Sequence, residues 1–333
     1  MKKDIILTFD YELFLGKDSG SLKGCIGDVT DDILNVFKKH GGVGIFFVDS
    51  SYLVHLKKNC IEEHNAYSDL IRNIVKGGHD IGLHIHPHWL DATKKENGHW
   101  DLSDYSRYRL HSLTPNELQD YFKECLDNLQ NIVASVRDNY KITTFRAGGW
   151  SITPFNDLRD TFLDSDIDMD FSVLPGDFLD QKPINYYDFR QANTKKWYWQ
   201  FDTTPCVEEQ NGRFYEIPVT RYRINPILFL VNKYLHSKSV NNNMSGVSAS
   251  YTSFYGKMRK LMRSVKYASL DDIALKLNRI MVRKMKMKSV LCFVAHPKSF
   301  SSSTIQLLDQ LLKRHKSLSV EMIREKIKET ENK

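Results

Sequence analysis

Short apolar runs alternate with helix-like segments along most of this 333-residue chain, and this alternation narrowly limits the fold it can adopt. The runs predict buried strands, of which the clearest are residues 4–9, 43–48, 79–84 and 289–295. Helical spacing separates them, for example after the capping box that begins at Thr114. Because helices between consecutive apolar strands imply parallel crossovers, the sequence predicts an α/β fold of barrel-like form.

Charge is distributed unevenly along the chain. Residues 1–200 hold 23 basic and 30 acidic side chains, whereas residues 201–333 hold 24 and 11. Residues 257–288 alone hold eleven basic and two acidic side chains, and Ser269 predicts the start of a basic helix there. An evenly basic polyanion binder is therefore excluded, and no nucleic-acid-binding motif accompanies the basic segment. The polar residues 237–250 predict a mobile loop.

The N-terminal residues and the cysteines bear on the cellular compartment. The first apolar run extends only from Ile5 to Leu7, which is shorter than the roughly 7–15 apolar residues of an export signal. No run approaches the ~18–20 apolar residues of a membrane span. The five cysteines form no CxxC motif, and their odd number is not typical of a disulfide framework. We therefore predict a reduced, cytoplasmic protein.

Two carboxylates and a histidine cluster lie where predicted strands end. Asp10 and Glu12 follow the first strand at positions i and i+2, so an extended backbone points both to the same side. His84, His86 and His88 end a later strand, and imidazoles four residues apart on a helical turn can bind one metal ion. Solvated carboxylates and a structural histidine cluster are the alternative interpretations.

Two further strand ends carry residues that could take part in catalysis or substrate binding. Arg146 precedes Gly148 and Gly149, so a guanidinium that can orient a carboxylate lies beside backbone that allows close approach. His296 ends the last apolar strand. A structural role remains open for each residue taken alone. Because the ends of separate strands meet only at the mouth of a barrel, the four positions together predict an active site.

The ordered motifs resemble those of the polysaccharide deacetylases of carbohydrate esterase family four, the NodB-homology superfamily. The likeness extends from residue 5 to about residue 300, leaves residues 220–288 unmatched, and is nearest to the branch of bacterial O-antigen or surface-polysaccharide pathways. The matching segments are TFDYE (8–12), GHDIGLHIHPH (78–88), FRAGG (145–149), Asp170–Ser172, Tyr215–Val219 and Ala295–Pro297. The resemblance implies a distorted (β/α) barrel with about seven parallel strands.

The resemblance also implies roles in acid–base chemistry. It makes Asp10 the catalytic base and His296 the general acid that protonates the leaving amine. Arg146 and Asp170 correspond to the residues that orient this base and this acid.

A divalent metal, most commonly zinc, is the cofactor that the resemblance implies, with His84 and His88 as ligands. The family's third ligand is the carboxylate that follows the base, and here Tyr11 stands at that position. Some members carry the acid one residue later, and Glu12 faces the same side as Asp10. We therefore predict Glu12 as the third ligand. Without it, the site would resemble the metal-independent members of the superfamily.

Other departures from the family pattern surround these motifs. Gly148, Gly149 and Trp150 replace the proline–tyrosine pair of the family's arginine motif, and His86 has no counterpart in it. We predict that these four residues, together with Tyr11, contact the substrate.

The implied function is a metal-dependent hydrolase that removes an N-acyl group, with N-acetyl expected, from an amino sugar. Its substrate would be a nucleotide sugar, a lipid-linked glycan or an oligosaccharide. Two alternatives stay open: a metal-independent amidohydrolase acting on a small amide or ureide, and a non-catalytic sugar-binding protein on the same barrel.

The resemblance divides the chain into three parts. Residues 1–219 and 289–316 form the predicted barrel, residues 220–288 form a mainly helical, basic insertion, and residues 317–333 form a C-terminal helix or tail. The insertion either has a solvated basic face, or covers the barrel mouth or touches the inner membrane surface.

Overall fold

The computed structural model describes residues 3–237, 246–249, 261–285 and 289–332. Most of the predicted mobile loop 237–250, and both ends of the predicted basic segment 257–288, lie outside these residues. The described strands, in chain order, are β1 (Asp4–Tyr11), β2 (Ile45–Asp49), β3 (Asp80–Ile85), β4 (Thr93–Lys94), β5 (Trp100–Asp101), β6 (Thr144–Ala147), β7 (Met169–Asp170), β8 (Phe178–Gln181), β9 (Asn185–Asp188), β10 (Trp199–Phe201), β11 (Phe214–Glu216), β12 (Arg221–Arg223), β13 (Val265–Tyr267), β14 (Val290–Ala295) and β15 (Lys316–Ser317).

Helices connect most of the strands of the main sheet. The described helices are α1 (Asp28–His40), α2 (Ser50–Asn59), α3 (Ile61–Lys76), α4 (Pro115–Ala134), α5 (Asn156–Leu163), α6 (Pro226–Ser237), α7 (Asn278–Lys284), α8 (Ser302–Arg314) and α9 (Val320–Glu331). Helix α4 begins at the predicted capping box, because the Thr114 side chain accepts a hydrogen bond from the Glu117 backbone. Within the described ranges, no helix is both long enough and apolar enough to cross a membrane.

The main sheet confirms the predicted α/β fold. Seven strands run parallel in the order β11-β7-β6-β3-β2-β1-β14. Strand β10 pairs antiparallel with β11, and the short β15 lies beside β1. The sheet is curled and barrel-like. The curl brings the chain after β11 to β14, where the Thr220 amide donates to the Cys292 carbonyl over 3.0 Å.

Alternation along the strands separates two apolar layers. In β1, Leu7 and Phe9 pack in the larger core cluster, which includes Phe37 from α1. Ile6 packs in a second cluster with Ile45 and residues of β7 and β14, inside the curled sheet. Even-numbered residues of β1 therefore face the interior of the barrel, and odd-numbered residues face the helices.

Residues 220–288 differ from the predicted basic helix. Strands β12 and β13 pair antiparallel, α6 follows β12, and the chain after Ser269 forms 3₁₀ turns at Leu270–Asp272 and Leu275–Leu277 before α7. The buried Asn232 side chain of α6 accepts from the Ala274 amide over 2.9 Å and donates to the Asp272 carbonyl. Because these backbone groups bond to Asn232, they are not used in a continuous helix.

Candidate active site

Strand alternation places the two predicted carboxylates at the mouth of the barrel. Asp10 is the last interior-facing residue of β1, and Glu12 follows directly after the strand; both side chains are buried. Tyr11 faces the helices, where its hydroxyl bonds to Thr30 over 2.6 Å and its ring stacks on Tyr67. The predicted substrate contact of Tyr11 is therefore wrong, since the side chain is fully buried in the core.

Asp10 is held by the buried guanidinium of Arg146. Arg146 pairs with Asp10 Oδ1, donates to Thr8 Oγ1 over 2.8 Å, and donates to the Phe171 carbonyl over 3.1 Å. Burial raises the pKa of the Asp10 carboxyl, but the charge of Arg146, together with His296, outweighs burial and lowers it. Arg146 therefore orients the Asp10 carboxylate through Oδ1, and the second oxygen, Oδ2, faces His296.

Glu12, His84 and His86 form a buried group whose ligand atoms all lie within 4.8 Å of one another. Glu12 Oε2 lies 3.3 Å from His84 Nε2 and 2.8 Å from His86 Nε2. His84 Nδ1 donates to the Arg146 carbonyl over 2.7 Å, which leaves Nε2 to face the group. Two imidazoles oriented in this way beside a carboxylate fit a zinc-type divalent cation.

This group differs from the predicted ligand set, because His86 joins His84 where His88 was expected. His84 is the penultimate residue of β3 and His86 follows two residues later, so extended backbone points both rings inward. The 3₁₀ helix begins only at Pro87, so His84 and His88 do not share a helical turn. His88 is fully buried at a ring-centroid distance of 5.4 Å from His86, and neither of its ring nitrogens has a described hydrogen-bond partner.

His296 lies on the other side of Asp10. Its Nε2 is 3.4 Å from Asp10 Oδ2, and its Nδ1 is 2.6 Å from Asp271 Oδ2. The other Asp271 oxygen accepts from the His296 amide over 3.1 Å. Burial lowers the pKa of His296, but the charge of Asp271 and the hydrogen bonds to Asp271 and Asp10 raise it to about 10. The imidazole is therefore protonated at neutral pH.

Asp271, and not Asp170, thus orients the histidine. Asp170 is fully buried on β7, where it accepts from the Ser172 hydroxyl over 2.6 Å and lies in register with Glu216 of β11. Burial raises the pKa of Asp170, and burial with the Asp170 charge raises the pKa of Glu216 well above its usual range. Asp170 therefore belongs to a buried carboxyl pair. In the sequence, Asp271 lies two residues after Ser269, the predicted start of a basic helix, and no motif marked it as a site residue.

Lys298 is a second residue that the sequence analysis missed. Its Nζ lies 2.7 Å from Glu12 Oε1 and 2.8 Å from the Leu13 carbonyl. Burial raises the pKa of Glu12, but the charges of Lys298 and His86 outweigh it and hold the pKa well below its usual value. Lys298 follows His296 by two residues, and this spacing at a strand exit was the one available signal.

The two glycines of the arginine motif shape the floor of the site. A Cβ atom at Gly148 would lie 2.3 Å from the Ile85 carbonyl and 2.7 Å from His86 Nδ1. Gly149 has a φ of +61°, and a Cβ there would lie 2.7 Å from Tyr108. Gly148 therefore allows close packing beside His86, and Gly149 allows close packing against Tyr108.

A cavity of about 740 Å³ opens beside His296. The Trp150 ring lies at its edge, 5.3 Å from the Arg146 guanidinium. Much of the wall comes from residues 263–272, so the insertion contributes to the candidate substrate site. Other lining residues are Leu174, Phe178 and Arg190.

Comparison with known proteins finds similarity to polysaccharide deacetylases. The family model for polysaccharide deacetylases matches residues 1–161. A crystal structure from Mycobacterium smegmatis, whose name provisionally assigns it as a polysaccharide deacetylase, is 13% identical with a TM-score of 0.53, and the alignment covers 99% of this chain and 92% of that one. This likeness supports the fold. Comparison with curated proteins finds no match.

Two other solved structures align over most of the chain with lower scores. The peptidoglycan deacetylase PdaC from Bacillus subtilis is 15% identical, with a TM-score of 0.42 and coverage of 99% of this chain and 94% of that one. A family-four carbohydrate esterase pseudoenzyme from Bacillus anthracis is 13% identical, with a TM-score of 0.42 and coverage of 96% and 65%.

Proposed function

From this support for the polysaccharide deacetylase superfamily, whose members hydrolyse the amide C–N bond of N-acetyl groups, we propose that the protein is a metal-dependent N-deacylase of an amino sugar. The acyl group is expected to be acetyl, and the pathway is expected to be surface-polysaccharide biosynthesis of the O-antigen type. One observation carries the proposal: Asp10, fixed by Arg146, lies 3.4 Å from the protonated His296, and His296 in turn lies 4.0 Å from Glu12 of the group formed with His84 and His86.

Glu12, His84 and His86 would hold the metal, with zinc as the expected ion. A bound divalent cation supplies Lewis-acid polarisation of the acyl carbonyl and lowers the pKa of water. Glu12 would contribute a carboxylate oxygen, and His84 and His86 would each contribute an imidazole nitrogen.

Asp10 would act as the general base. Arg146 occupies Asp10 Oδ1, and Oδ2, which lies 3.4 Å from His296 Nε2, would accept a proton from the attacking water. The Arg146 charge keeps Asp10 ionised, and its three-point attachment to Asp10, Thr8 and the Phe171 carbonyl fixes the carboxylate orientation.

His296 would act as the general acid. Asp271 accepts from Nδ1, so the protonated Nε2 faces Asp10 and the adjoining cavity. As the C–N bond breaks, Nε2 donates its proton to the leaving amine. Water, the amide and these two groups then yield a free amino sugar and a carboxylate.

The test separates metal binding from turnover. Asp10→Asn should retain the wild-type metal stoichiometry, measured by elemental analysis, and lose hydrolysis of N-acetylated nucleotide sugars or lipid-linked glycans, measured by mass spectrometry. Glu12→Ala should lose metal. Asp4→Asn is the matched control, because Asp4 lies at the far end of β1 and pairs with Lys326. Full activity in Asp10→Asn would contradict the proposed mechanism.

The proposed compartment is the cytoplasm. All five cysteines are free thiols, and four of them are buried, which supports a reducing environment. Nucleotide sugars and lipid-linked glycans are both compatible with that location, and the substrate screen should include both forms.

A metal-independent amidohydrolase is the second candidate, and Lys298 is the observation that favours it. Its ammonium contacts Glu12 at 2.7 Å and already supplies positive charge where a cation would bind. Activity that survives exhaustive chelation, with no metal found by elemental analysis, would support this candidate against the metal-dependent one. Loss of activity on chelation and recovery with zinc would exclude it.

A further inference from the structure

Helix α6 directs apolar side chains toward solvent. Ile227 is 69% exposed, Val231 is 46% exposed and Tyr234 is 57% exposed. Their spacing of four and three residues places them on one face of the helix. Contiguous exposed apolar surface is uncommon on soluble proteins and marks a binding surface.

The opposite face of α6 fixes the orientation of the helix. Phe229 is buried, and Lys266 lies over its ring at 4.3 Å. Asn232 is fully buried and bonds to the backbone of Ala274 and Asp272. These contacts hold α6 on the turn Leu270–Asp272, so the outward direction of the apolar face is built into the fold.

Three exposed basic side chains lie on α6 or on segments next to it. Arg223 precedes α6 and is exposed, Lys233 on the helix is 51% exposed, and Lys276 is exposed on the 3₁₀ turn that packs against α6. Residues 217–237 contain no Asp or Glu.

The acidic groups near these basic side chains offset only part of their charge. Asp272 lies 3.8 Å from Lys233, and Asp271 is engaged by His296. Arg279 and Arg283 line a separate cavity of about 340 Å³ beside α8 and do not belong to this surface.

We propose that this face binds the anionic surface of a phospholipid bilayer. Ile227 and Val231 enter the interfacial region, while Arg223, Lys233 and Lys276 contact lipid phosphates. An amphipathic helix with a basic polar side binds anionic membranes through both contributions. Charge complementarity favours anionic lipid as the occupant, because a second copy of this chain would present the same basic side chains.

The position of the surface has a functional consequence that rests on the proposed deacylase activity. The turn Leu270–Asp272 supports α6 and also carries Asp271, which orients His296. Binding at α6 would therefore hold the cavity beside His296 near the membrane, where the sugar of a lipid-linked glycan is displayed. Membrane binding itself does not depend on that activity.

Vesicle sedimentation tests the proposal on the full chain. We expect wild-type protein to bind vesicles of 40% phosphatidylglycerol in phosphatidylcholine at least 10-fold more tightly than pure phosphatidylcholine vesicles, and less tightly as salt is raised. Ile227→Asn with Val231→Asn, and separately Lys233→Glu with Lys276→Glu, should each weaken binding at least 10-fold. Ile61→Asn is the matched control, since Ile61 is 57% exposed on α3.

Three readouts in addition to vesicle binding keep the outcomes distinct. Circular dichroism and hydrolysis of a water-soluble N-acetylated substrate should be unchanged in the α6 variants, so a failure of the proposed activity would be seen separately. Absence of wild-type binding to anionic vesicles, or equal binding by the variants, would overturn the membrane proposal. It would also be overturned if the apolar variant dissociated a dimer on size-exclusion chromatography while vesicle binding persisted.

Discussion

At the barrel mouth, the two oxygens of the Asp10 carboxylate contact different partners. One of its oxygens pairs with Arg146, while the other lies 3.4 Å from His296. The i, i+2 rule correctly predicted that Asp10 and Glu12 share a side. The same rule applies to His84 and His86, but the i, i+4 spacing favoured His88. That spacing requires a helical turn, and Pro87 starts one too late.

The histidine assignment can be tested by metal content. We expect His86→Ala to lose bound zinc, because its Nε2 lies 2.8 Å from Glu12. His88→Ala should retain zinc, since His88 lies outside the group whose ligand atoms converge. Elemental analysis and isothermal titration with zinc would measure both variants. Zinc loss in His88→Ala with retention in His86→Ala would reverse the assignment.

A second residue-level prediction concerns Asp271 as the positioning residue for His296. Asp271→Asn removes the charge that raises the pKa of His296 to about 10, so that pKa should fall. We expect kcat to decrease about 10²-fold, which is within the contribution of general acid catalysis, with metal stoichiometry unchanged. An NMR titration of the imidazole would measure the pKa.

The neighbouring residue provides the control for that experiment. Asp272 lies 3.8 Å from Lys233 and has no described contact with His296, so Asp272→Asn should leave both kcat and the His296 pKa near their wild-type values. Equal effects of the two substitutions would argue for a general charge effect and against positioning by Asp271.

At the scale of elements, strand ends were more predictable than the segments between motifs. Periodicity and caps indicated β1, β14 and α4, since burial and local hydrogen bonds determine them. The predicted basic helix after Ser269 is helical only over α7, after two 3₁₀ turns, because tertiary bonds from Asn232 hold the backbone before it. Such bonds leave no periodic signal. Helix α2 was also not predicted from the sequence.

The junction between β3 and β6 depends on a missing side chain, and this can be tested by adding one. Gly148→Ala would place Cβ 2.3 Å from the Ile85 carbonyl and 2.7 Å from His86 Nδ1. We expect the free energy of unfolding to fall by about 1–3 kcal/mol, as for other overpacked sites, and zinc affinity to fall with it. Urea unfolding and zinc titration measure the two effects.

Gly27→Ala is the matched control for that substitution. Gly27 has helical φ and ψ, and a Cβ there would approach no described atom closer than 3.6 Å. We expect no loss of stability or zinc affinity. If Gly148→Ala behaved like this control, the close approach of β6 to His86 would not constrain the site.

At the scale of the whole molecule, the structure shows where the acidic and basic parts of the sequence lie. Most of the predicted site residues lie in the acidic residues 1–200, while the basic residues after 220 form a wall of the cavity and lie on or beside α6. The overall fold could be predicted because its strands carry motifs and apolar runs. Asp271 and the α6 surface could not, since their roles depend on contacts between distant parts of the chain.

Stability of the whole fold should depend on pH through His79. This side chain is 2% exposed, packs on Phe37 and accepts a hydrogen bond from the Gly44 amide at Nδ1, so it is buried in the neutral form. Burial lowers its pKa to about 4. The unfolded chain, with an ordinary histidine pKa of about 6.5, takes up a proton at higher pH than the folded chain does.

Acid should therefore destabilise the protein as the pH falls from about 6.5 to about 4, and the full stability should be present above about 6.5. Between pH 7.5 and pH 5, His79 alone should reduce the free energy of unfolding by about 2 kcal/mol. His79→Gln should be less stable than wild type at pH 7.5, yet lose about 2 kcal/mol less on acidification. Urea unfolding at both pH values measures this difference. If the free energy of unfolding fell by the same amount in both proteins, the acid sensitivity would arise from other groups and not from the buried, neutral His79.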